Sequence, residues 1–353
     1  MNNLTSLRDG GRTNGRRLIT LVSTYQSGGL LIALILLGTY FTFANGRFLT
    51  TSNLSVVLLQ SAIVGIIAIP GAMLLLAGYL DLSVGSIAVL GAATFGQLVV
   101  VGQVPVWVAF AISMAVGGAW GALNGYLIAY LGFSPIVVTL GGLAAARGVA
   151  EAMTNYATRM GFGDEFGFLG NGDILGLPTP AVTFILLFIV GLYLWYVTPV
   201  GRHLTAIGAD HTAARSVGLA VKRIPFLVYV ASGLASAIGG LIFTSQLDGA
   251  SISIGVGAEL QVLTAILLGG VAFTGGRGSL WGVLFGVLFI GVLNNGLILL
   301  NVGPYFVNIV VGCVLLLVAG ADVLYQRIDQ IPISAPPDQT GEDVQVGGGR
   351  THE

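Results

Sequence analysis

Ten runs of apolar residues, separated by short polar or glycine-rich segments, form the main pattern along this chain of 353 residues. Their approximate limits are 28–45, 54–77, 83–103, 106–131, 135–155, 180–198, 225–246, 258–273, 280–301 and 304–323. A helix needs roughly 20 apolar residues to cross the hydrocarbon core of a bilayer. The pattern therefore predicts an all-α polytopic membrane protein with about ten transmembrane helices, of which the eighth is short.

The composition supports this interpretation, because 55% of the residues are hydrophobic, only 8% are charged, and the mean hydropathy is +0.92. A soluble domain carries about a quarter charged residues. We divide the chain into a cytoplasmic N-terminal tail (1–27), a transmembrane domain (28–323) with a long cytoplasmic loop (199–224), and a polar, disordered C-terminal tail (324–353). The first apolar run has no convincing signal-peptide cleavage pattern, so we interpret it as an uncleaved helix.

Lysine and arginine are distributed unevenly between the two sides of the predicted membrane. The side that holds the N-terminus receives Arg8, Arg12, Arg16, Arg17, Arg202, Arg215, Lys222, Arg223, Arg277, Arg327 and Arg350. The opposite side receives only Arg47 and Arg159. Because cytoplasmic loops carry an excess of these residues, both termini are predicted to be cytoplasmic.

Motifs for catalysis, nucleotide binding and metal binding are missing from the sequence. Lys222 is the only lysine and no glycine-rich loop precedes it, so the chain has no phosphate-binding loop. Neither H-E-x-x-H nor C-x-x-C occurs, and the predicted spans contain no histidine. We therefore expect no enzymatic activity and no cofactor, and the formal net charge of −1 argues against a nucleic-acid partner.

The loop 199–224 contains a short amphipathic segment that is predicted to be helical from Asp210 to Val217. Asp210 is the expected N-cap of this helix and Gly218 its C-terminal stop. A short helix at the membrane face can dock into a groove on a soluble partner. It can also lie on anionic lipid as a basic interfacial helix, and these residues leave both interpretations open.

A short pattern is repeated in spans four and nine. Asn124-Gly125 and Asn295-Gly296 are each followed seven residues later by a glycine and soon afterwards by a proline. Because the two spans lie five apart, they run in opposite directions across the membrane. The repetition indicates an inverted repeat, which is common in transporters.

Two segments resemble a known family. Thr212-Ala213-Ala214-x-x-x-Gly218 resembles the E-A-A-x-x-x-G coupling motif of ABC importer permeases, with threonine where glutamate is usual. Residues 78–86 (GYLDLSVGS) resemble the G-G-I-D-L-S-V-G-S segment of the sugar-type permeases, which include the ribose, xylose and arabinose permeases. Further short matches occur in the same order over about residues 50–320.

The resemblance implies a type II-like permease in the bacterial cytoplasmic (inner) membrane, which pairs with a second copy or a paralogue. It implies two ABC ATPase subunits that bind the coupling segment, formed by Asp210, Thr212, Ala213, Ala214 and Gly218. It also implies an extracytoplasmic binding protein that delivers a small sugar and holds most of the selectivity. The alternatives are a branched-chain amino-acid permease of the same class and an ion-coupled secondary transporter. The GYLDLSVGS segment argues against the first, and the lack of a proton relay argues against the second.

Polar residues in or at the ends of the spans are candidates for the transport pathway or for structural roles. An ionised group near the centre of a bilayer costs roughly 2.5–3.5 kcal/mol, so each needs a partner or a wet cavity. Arg147 and Glu151 are four residues apart and are predicted to form an ion pair. Asp81 is predicted to cap the third span in preference to contacting sugar. For Glu259 two roles remain open, capping of the eighth span and contact with the binding protein.

Uncharged polar residues complete the set of candidates: Ser83, Asn124, Asn294 and Asn295. The three asparagines are the better pathway candidates, because an amide both donates and accepts hydrogen bonds, as passing sugar hydroxyls require. Hydrogen bonding between helices is the expected role for any one of them taken alone.

Overall fold

The computed structural model describes residues 26–329, so most of both predicted tails lies outside the described residues. The helices in this range are α1 Gln26–Ala44, α2 Thr51–Leu76, α3 Val84–Gly96, α4 Val106–Gly125, α5 Pro135–Thr154, α6 Asp164–Asn171, α7 Thr179–Leu192, α8 Pro199–Ala209, α9 His211–Ser216, α10 Arg223–Leu247, α11 Ala258–Leu268, α12 Leu280–Leu299 and α13 Pro304–Asp329. Four two-residue strands accompany them: β1 Arg159–Met160, β2 Asp173–Ile174, β3 Leu177–Pro178 and β4 Gly249–Ala250.

All ten apolar runs are helical. Three helices continue through a π-helical turn, formed by Gln97–Val101 after α3, Tyr126–Tyr130 after α4 and Tyr193–Val197 after α7. With these turns, seven helices of the described chain are long and apolar enough to cross a membrane, whereas α1, α11 and α13 contribute shorter apolar stretches. The all-α polytopic fold is confirmed, and the ten-span topology remains a prediction.

Two of the predicted limits are wrong. The eighth run was expected to continue to 273, but α11 ends at Leu268 because glycine follows and Gly270 adopts a left-handed φ of +84°. Glycine takes this conformation without the steric cost that a side chain would add. The last helix extends to Asp329, so the first six residues of the predicted C-terminal tail, 324–329, continue α13.

One end of the helix bundle, called here the α6 end, contains α6 and the four strands. Strands β1 and β4 pair antiparallel, which joins the chain after α5 to the chain after α10. Strands β2 and β3 form a hairpin whose turn, Leu175-Gly176, has both φ angles in the left-handed region. The side chain of Leu175 is 99% exposed at the tip of this hairpin.

The opposite end, called here the α9 end, contains α8, α9 and the links 77–83 and 269–279. The backbone N–H of Gly276 donates to the carbonyl oxygen of Leu76 at 2.8 Å. The same carbonyl lies so close to Gly208, near the end of α8, that a Cβ there would overlap it. Loops predicted to share one side of the membrane therefore meet in space, which supports the alternation of the predicted spans.

Helix α10 lies at the centre of the bundle and packs against α2, α3 and α4. Glycines allow the backbones to approach closely at these contacts. A Cβ added to Gly121 of α4 would overlap the carbonyl oxygen of Tyr229, and one added to Gly240 would overlap that of Ala88. In lipid, where no hydrophobic force brings helices together, this close approach supplies the packing energy.

The two halves of the described chain share one pattern of helices. Helices α2, α3, α4 and α5 begin at 51, 84, 106 and 135, and α10, α11, α12 and α13 begin at 223, 258, 280 and 304, which gives offsets of 169 to 174 residues. The packing corresponds as well, because α3 contacts α4, α5 and α10 while α11 contacts α12, α13 and α2. In both halves a long helix is followed by an irregular link and a short helix. These observations support the predicted inverted repeat.

The first turns of the short helices α3 and α11 come together inside the bundle. A Cβ added to Gly85 of α3 would lie 2.5 Å from the carbonyl oxygen of Gly255, which precedes α11. Two contacts with α10 show how deep in the bundle this point lies. Asp81 accepts a hydrogen bond from Ser232 of α10, and Ala88 touches Gly240 of the same helix. Helix α3 therefore begins near the middle of α10, and the two irregular links enter the bundle from opposite ends.

We predict that Gly121→Ala destabilises the fold, because the new methyl group overlaps the Tyr229 carbonyl in a contact between two backbones. The expected loss is about 1–3 kcal/mol, as for other overpacked cores. The control is Gly141→Ala on α5, where nothing lies within 4 Å of the added Cβ. Thermal unfolding and monodisperse yield in detergent should fall for the first variant only, and equal melting temperatures would contradict the packing described here.

Candidate functional site

The predicted helix in the loop 199–224 is present as α9. The Asp210 carboxylate accepts hydrogen bonds from the backbone N–H groups of Thr212 at 2.8 Å and Ala213 at 2.9 Å, which is the geometry of an N-cap. The helix ends before Gly218, whose φ is +82°. Both the cap and the stop lie where they were predicted.

The structure adds α8, which the sequence did not predict. Leu204 and Ile207 of this helix are buried in the main core, so α8 is fixed to the end of the bundle. In α9 the side chain of Ala214 also faces this core and is only 4% exposed, whereas Ala213 and Val217 are exposed. Ala213 and Val217 are therefore available to a partner, and Ala214 is not.

A buried hydrogen-bond network surrounds Asp81 in the link between α2 and α3. Its carboxylate accepts from the backbone N–H of Ser83 at 3.0 Å, from the Ser83 hydroxyl and from the Ser232 hydroxyl at 2.8 Å. The Asn124 amide donates to Ser83 Oγ at 2.8 Å, and the Tyr229 hydroxyl donates to the carbonyl of the residue before Asp81 at 3.0 Å. The network ties the link to α4 and α10.

The prediction that Asp81 caps the third span is wrong in detail. Helix α3 begins at Val84, its N-cap is Ser83, and no side chain caps it. The carboxylate is held two residues before the N-cap by Ser83 on one oxygen and by Ser232 of α10 on the other. Asp81 therefore fixes the position of the link.

The predicted ion pair of α5 is not formed. Glu151 accepts a hydrogen bond from the Tyr156 hydroxyl at 3.1 Å, whereas the buried Nε of Arg147 has no hydrogen-bond partner in the described part of the chain. An ion pair in which the basic residue precedes the acidic one by four positions is weaker than the reverse order. Tyr156, just beyond the end of the helix, is close enough to bind Glu151 instead. The hydrogen bond to Glu151 raises the pKa of the exposed Tyr156 hydroxyl.

Glu259 lies in the first turn of α11. In the described part of the chain it forms no capping hydrogen bond with this helix or with α3. Its carboxylate lies against Gly85, in the first turn of α3. A negative charge there is favourable, because the N-terminus of a helix carries partial positive charge. The contact with α3 is neither of the two roles predicted for Glu259, capping of the eighth span or contact with a binding protein, and the choice between those two stays open.

The neighbouring residues Asn294 and Asn295 of α12 have different surroundings. Asn295 forms a reciprocal pair with Asn53 of α2, with each amide nitrogen 2.9 Å from the other amide oxygen. Asn294 instead lines a cavity, and its buried Oδ1 has no hydrogen-bond partner among residues 26–329. Of the three asparagines, Asn124 and Asn295 join helices, and only Asn294 faces open space.

The cavity has a volume of about 480 Å³, is open on one side, and is lined mainly by α2, α10, α11, α12 and α13. Among the described residues, none of the side chains that line it is charged. Its polar lining consists of Gln60, Gln246, Ser253, Gln261, Asn294 and Asn308. Of these residues only Asn294 was predicted from the sequence. Glutamine inside an apolar run was a usable signal for the others, because such a residue needs a partner in lipid.

Comparison with known proteins adds a family assignment. The family described as "Branched-chain amino acid transport system / permease component" matches residues 53–319. A ribose import permease protein of Bacillus subtilis is 37% identical over 83% of this chain and 91% of its own length. A ribose import permease protein of Escherichia coli K12 is 34% identical over 88% of this chain and 97% of its own length.

Two further relatives carry other sugar names. A D-allose transport system permease protein of Escherichia coli K12 is 31% identical over 85% of this chain. An L-arabinose ABC transporter permease protein of Azospirillum brasilense is 34% identical over 83% of it. With a family match over residues 53–319 and relatives that align over most of its length, this chain belongs to the family of multi-pass membrane permeases of ABC importers.

Proposed function

We propose that this chain forms the translocation pathway of an ATP-driven importer for a monosaccharide. The observation that carries the proposal is the set of relatives named for ribose, D-allose and L-arabinose, each aligned over 83% or more of the chain. The family description favours branched-chain amino acids as the second candidate substrate. The sugar is preferred because relatives named for ribose, D-allose and L-arabinose are 31–37% identical over 83–85% of this chain.

The α8–α9 segment is proposed to bind an ABC ATPase. Helix α8 is packed into the bundle, α9 is capped by Asp210, and Ala213 and Val217 are exposed beside Arg215, so a short rigid helix is presented to a partner. A helix of this kind fits a groove on a soluble protein. ATP hydrolysis would belong to that separate subunit.

The α9 end is proposed to face the cytoplasm of a bacterial cell, with the α6 end on the outer face. The α9 end carries Arg202, Arg215, Lys222, Arg223 and Arg277, and the charge bias places such residues inside. An extracytoplasmic sugar-binding protein would then dock at the α6 end, and a second copy or a paralogue would complete the permease in the bilayer.

The proposed function predicts ATP-dependent sugar uptake by the complete transporter. Proteoliposomes with the ATPase and ATP inside and the binding protein outside should accumulate at least one of D-ribose, D-allose and L-arabinose. Excess leucine should not compete, and a protonophore should not abolish uptake. Uptake that is driven by an ion gradient without ATP would contradict the ABC mechanism, and uptake of leucine alone would favour the second candidate.

The proposed topology predicts asymmetric labelling of single cysteines. After replacement of the exposed Cys313 by alanine, Leu175→Cys at the hairpin tip should react with an impermeant maleimide in intact cells. Thr212→Cys on α9 should react only after the cells are permeabilised. Labelling of Thr212→Cys in intact cells would overturn the orientation.

The coupling proposal predicts different outcomes for two neighbouring alanines. Ala213→Glu places a charge on the exposed face of α9, so the permease should fold but lose sugar uptake and co-purification with the ATPase. Ala214→Glu places a charge in the permease core and should lower the folded yield, because unpaired buried charge is costly. Leu175→Glu at the other end of the bundle is the control and should keep the ATPase bound. Normal transport by Ala213→Glu would show that α9 is not the docking helix.

A further inference from the structure

We infer that the cavity lined by α2, α10, α11, α12 and α13 within a single protomer is a binding site for one uncharged sugar molecule on its way through the membrane. The inference rests on the proposed function and adds a location and a set of ligand-binding side chains to it. The volume of the cavity, about 480 Å³, lies within the range of small-molecule sites.

Unpaired amide atoms carry the inference. Gln60 Oε1, Gln246 Nε2 and Asn294 Oδ1 are all buried and have no hydrogen-bond partner in the described chain, and all three residues line this cavity. A buried polar atom without a partner costs roughly 1–3 kcal/mol. Three such atoms around one cavity therefore indicate that something else pairs with them.

The three amides come from three different helices and converge only in the folded protein. Gln60 belongs to α2, Gln246 to α10 and Asn294 to α12. One residue further along α12, Asn295 is fully engaged with Asn53. The bundle thus pairs Asn295 where two helices meet, whereas three of the amides that line the cavity each keep an atom without a partner in the described chain.

The lining also indicates the class of ligand. It holds amide and hydroxyl groups, apolar side chains and one aromatic ring, that of Phe243, but no charged group. A zwitterionic amino acid would bury a carboxylate and an ammonium without countercharges, which is far more costly than burying hydroxyls that can be hydrogen-bonded. A sugar offers hydroxyls that both donate and accept, together with apolar C–H faces.

The position of the cavity connects it to the moving parts of the proposed transporter. Its wall includes Ala88 of α3 and Gly255 before α11, beside the contact between the first turns of these helices. The link before α3 is held at the α9 end, where Leu76 meets Gly208 and Gly276. A shift of α8 would therefore change the wall of the cavity through backbone contacts.

The test removes the amides without changing their bulk. Gln60→Met, Gln246→Met, Asn294→Leu and the triple variant are reconstituted with the ATPase and binding protein, and uptake of D-ribose, D-allose and L-arabinose is measured. Each single change should lower uptake at low sugar concentration about two- to tenfold, as expected for one lost hydrogen bond, and the triple variant should lower it further. The melting temperature should not fall below the wild-type value, because the replaced amide atoms have no partner in the described chain to lose. Binding-protein-stimulated ATP hydrolysis should stay at the wild-type level.

The adjacent Asn295→Leu is the matched control. It removes both hydrogen bonds that Asn295 forms with Asn53 across α2 and α12, and should lower the melting temperature and the folded yield. Wild-type uptake by the triple variant would overturn the site, and so would a loss of stability in Asn294→Leu equal to that in Asn295→Leu. If the wild type itself imports no sugar with ATP, the proposed function fails and the site fails with it. Sugar uptake that is indifferent to the three amides removes the site alone.

Discussion

The carbonyl group of Leu76 is the contact on which the α9 end depends. The last carbonyls of a helix have no partner within the helix, and inside a bundle they must find one elsewhere. Gly276 supplies it with an N–H at 2.8 Å, and Gly208 allows α8 to approach the same carbonyl. A side chain at either glycine would push the segments apart. The end of α2, the end of α8 and the link 269–279 are therefore held as one unit, and α9 is attached to that unit.

The link 77–83, which follows Leu76, is also held in a fixed position, and it runs into the interior of the bundle. Asp81 and Ser83 bind Ser232 and Asn124, so α3 can begin halfway along α10 although the backbone before it is irregular. Irregular backbone is tolerated at this depth only where protein or a wet cavity satisfies it. A second irregular link, residues 251–257, precedes α11 in the other half of the chain. The two short helices meet at Gly85, and the cavity lies directly beside their contact.

The sequence predicted the helices and the α9 segment well, because both depend on local properties. The length of an apolar run determines a span, and Asp210 with Gly218 determines where a short helix begins and ends. The partners of buried polar residues could not be predicted, because they depend on how each helix is rotated in the bundle. For that reason Arg147 and Glu151 do not pair, Ala214 faces the core of its own chain, and the glutamines of the cavity went unrecognised.

The amides fit a division of labour between the permease and its binding protein. A transport site must bind well enough for the ligand to enter and weakly enough for it to leave. Charged side chains would hold a ligand through strong, charge-assisted bonds, and a stacked aromatic box would hold one sugar tightly. A neutral lining with three unpaired amides offers a few ordinary hydrogen bonds, each worth about 1 kcal/mol. The proposed site would accept hydroxyls of different stereochemistry and keep them only briefly, and selectivity would then belong to the binding protein that we propose delivers the sugar.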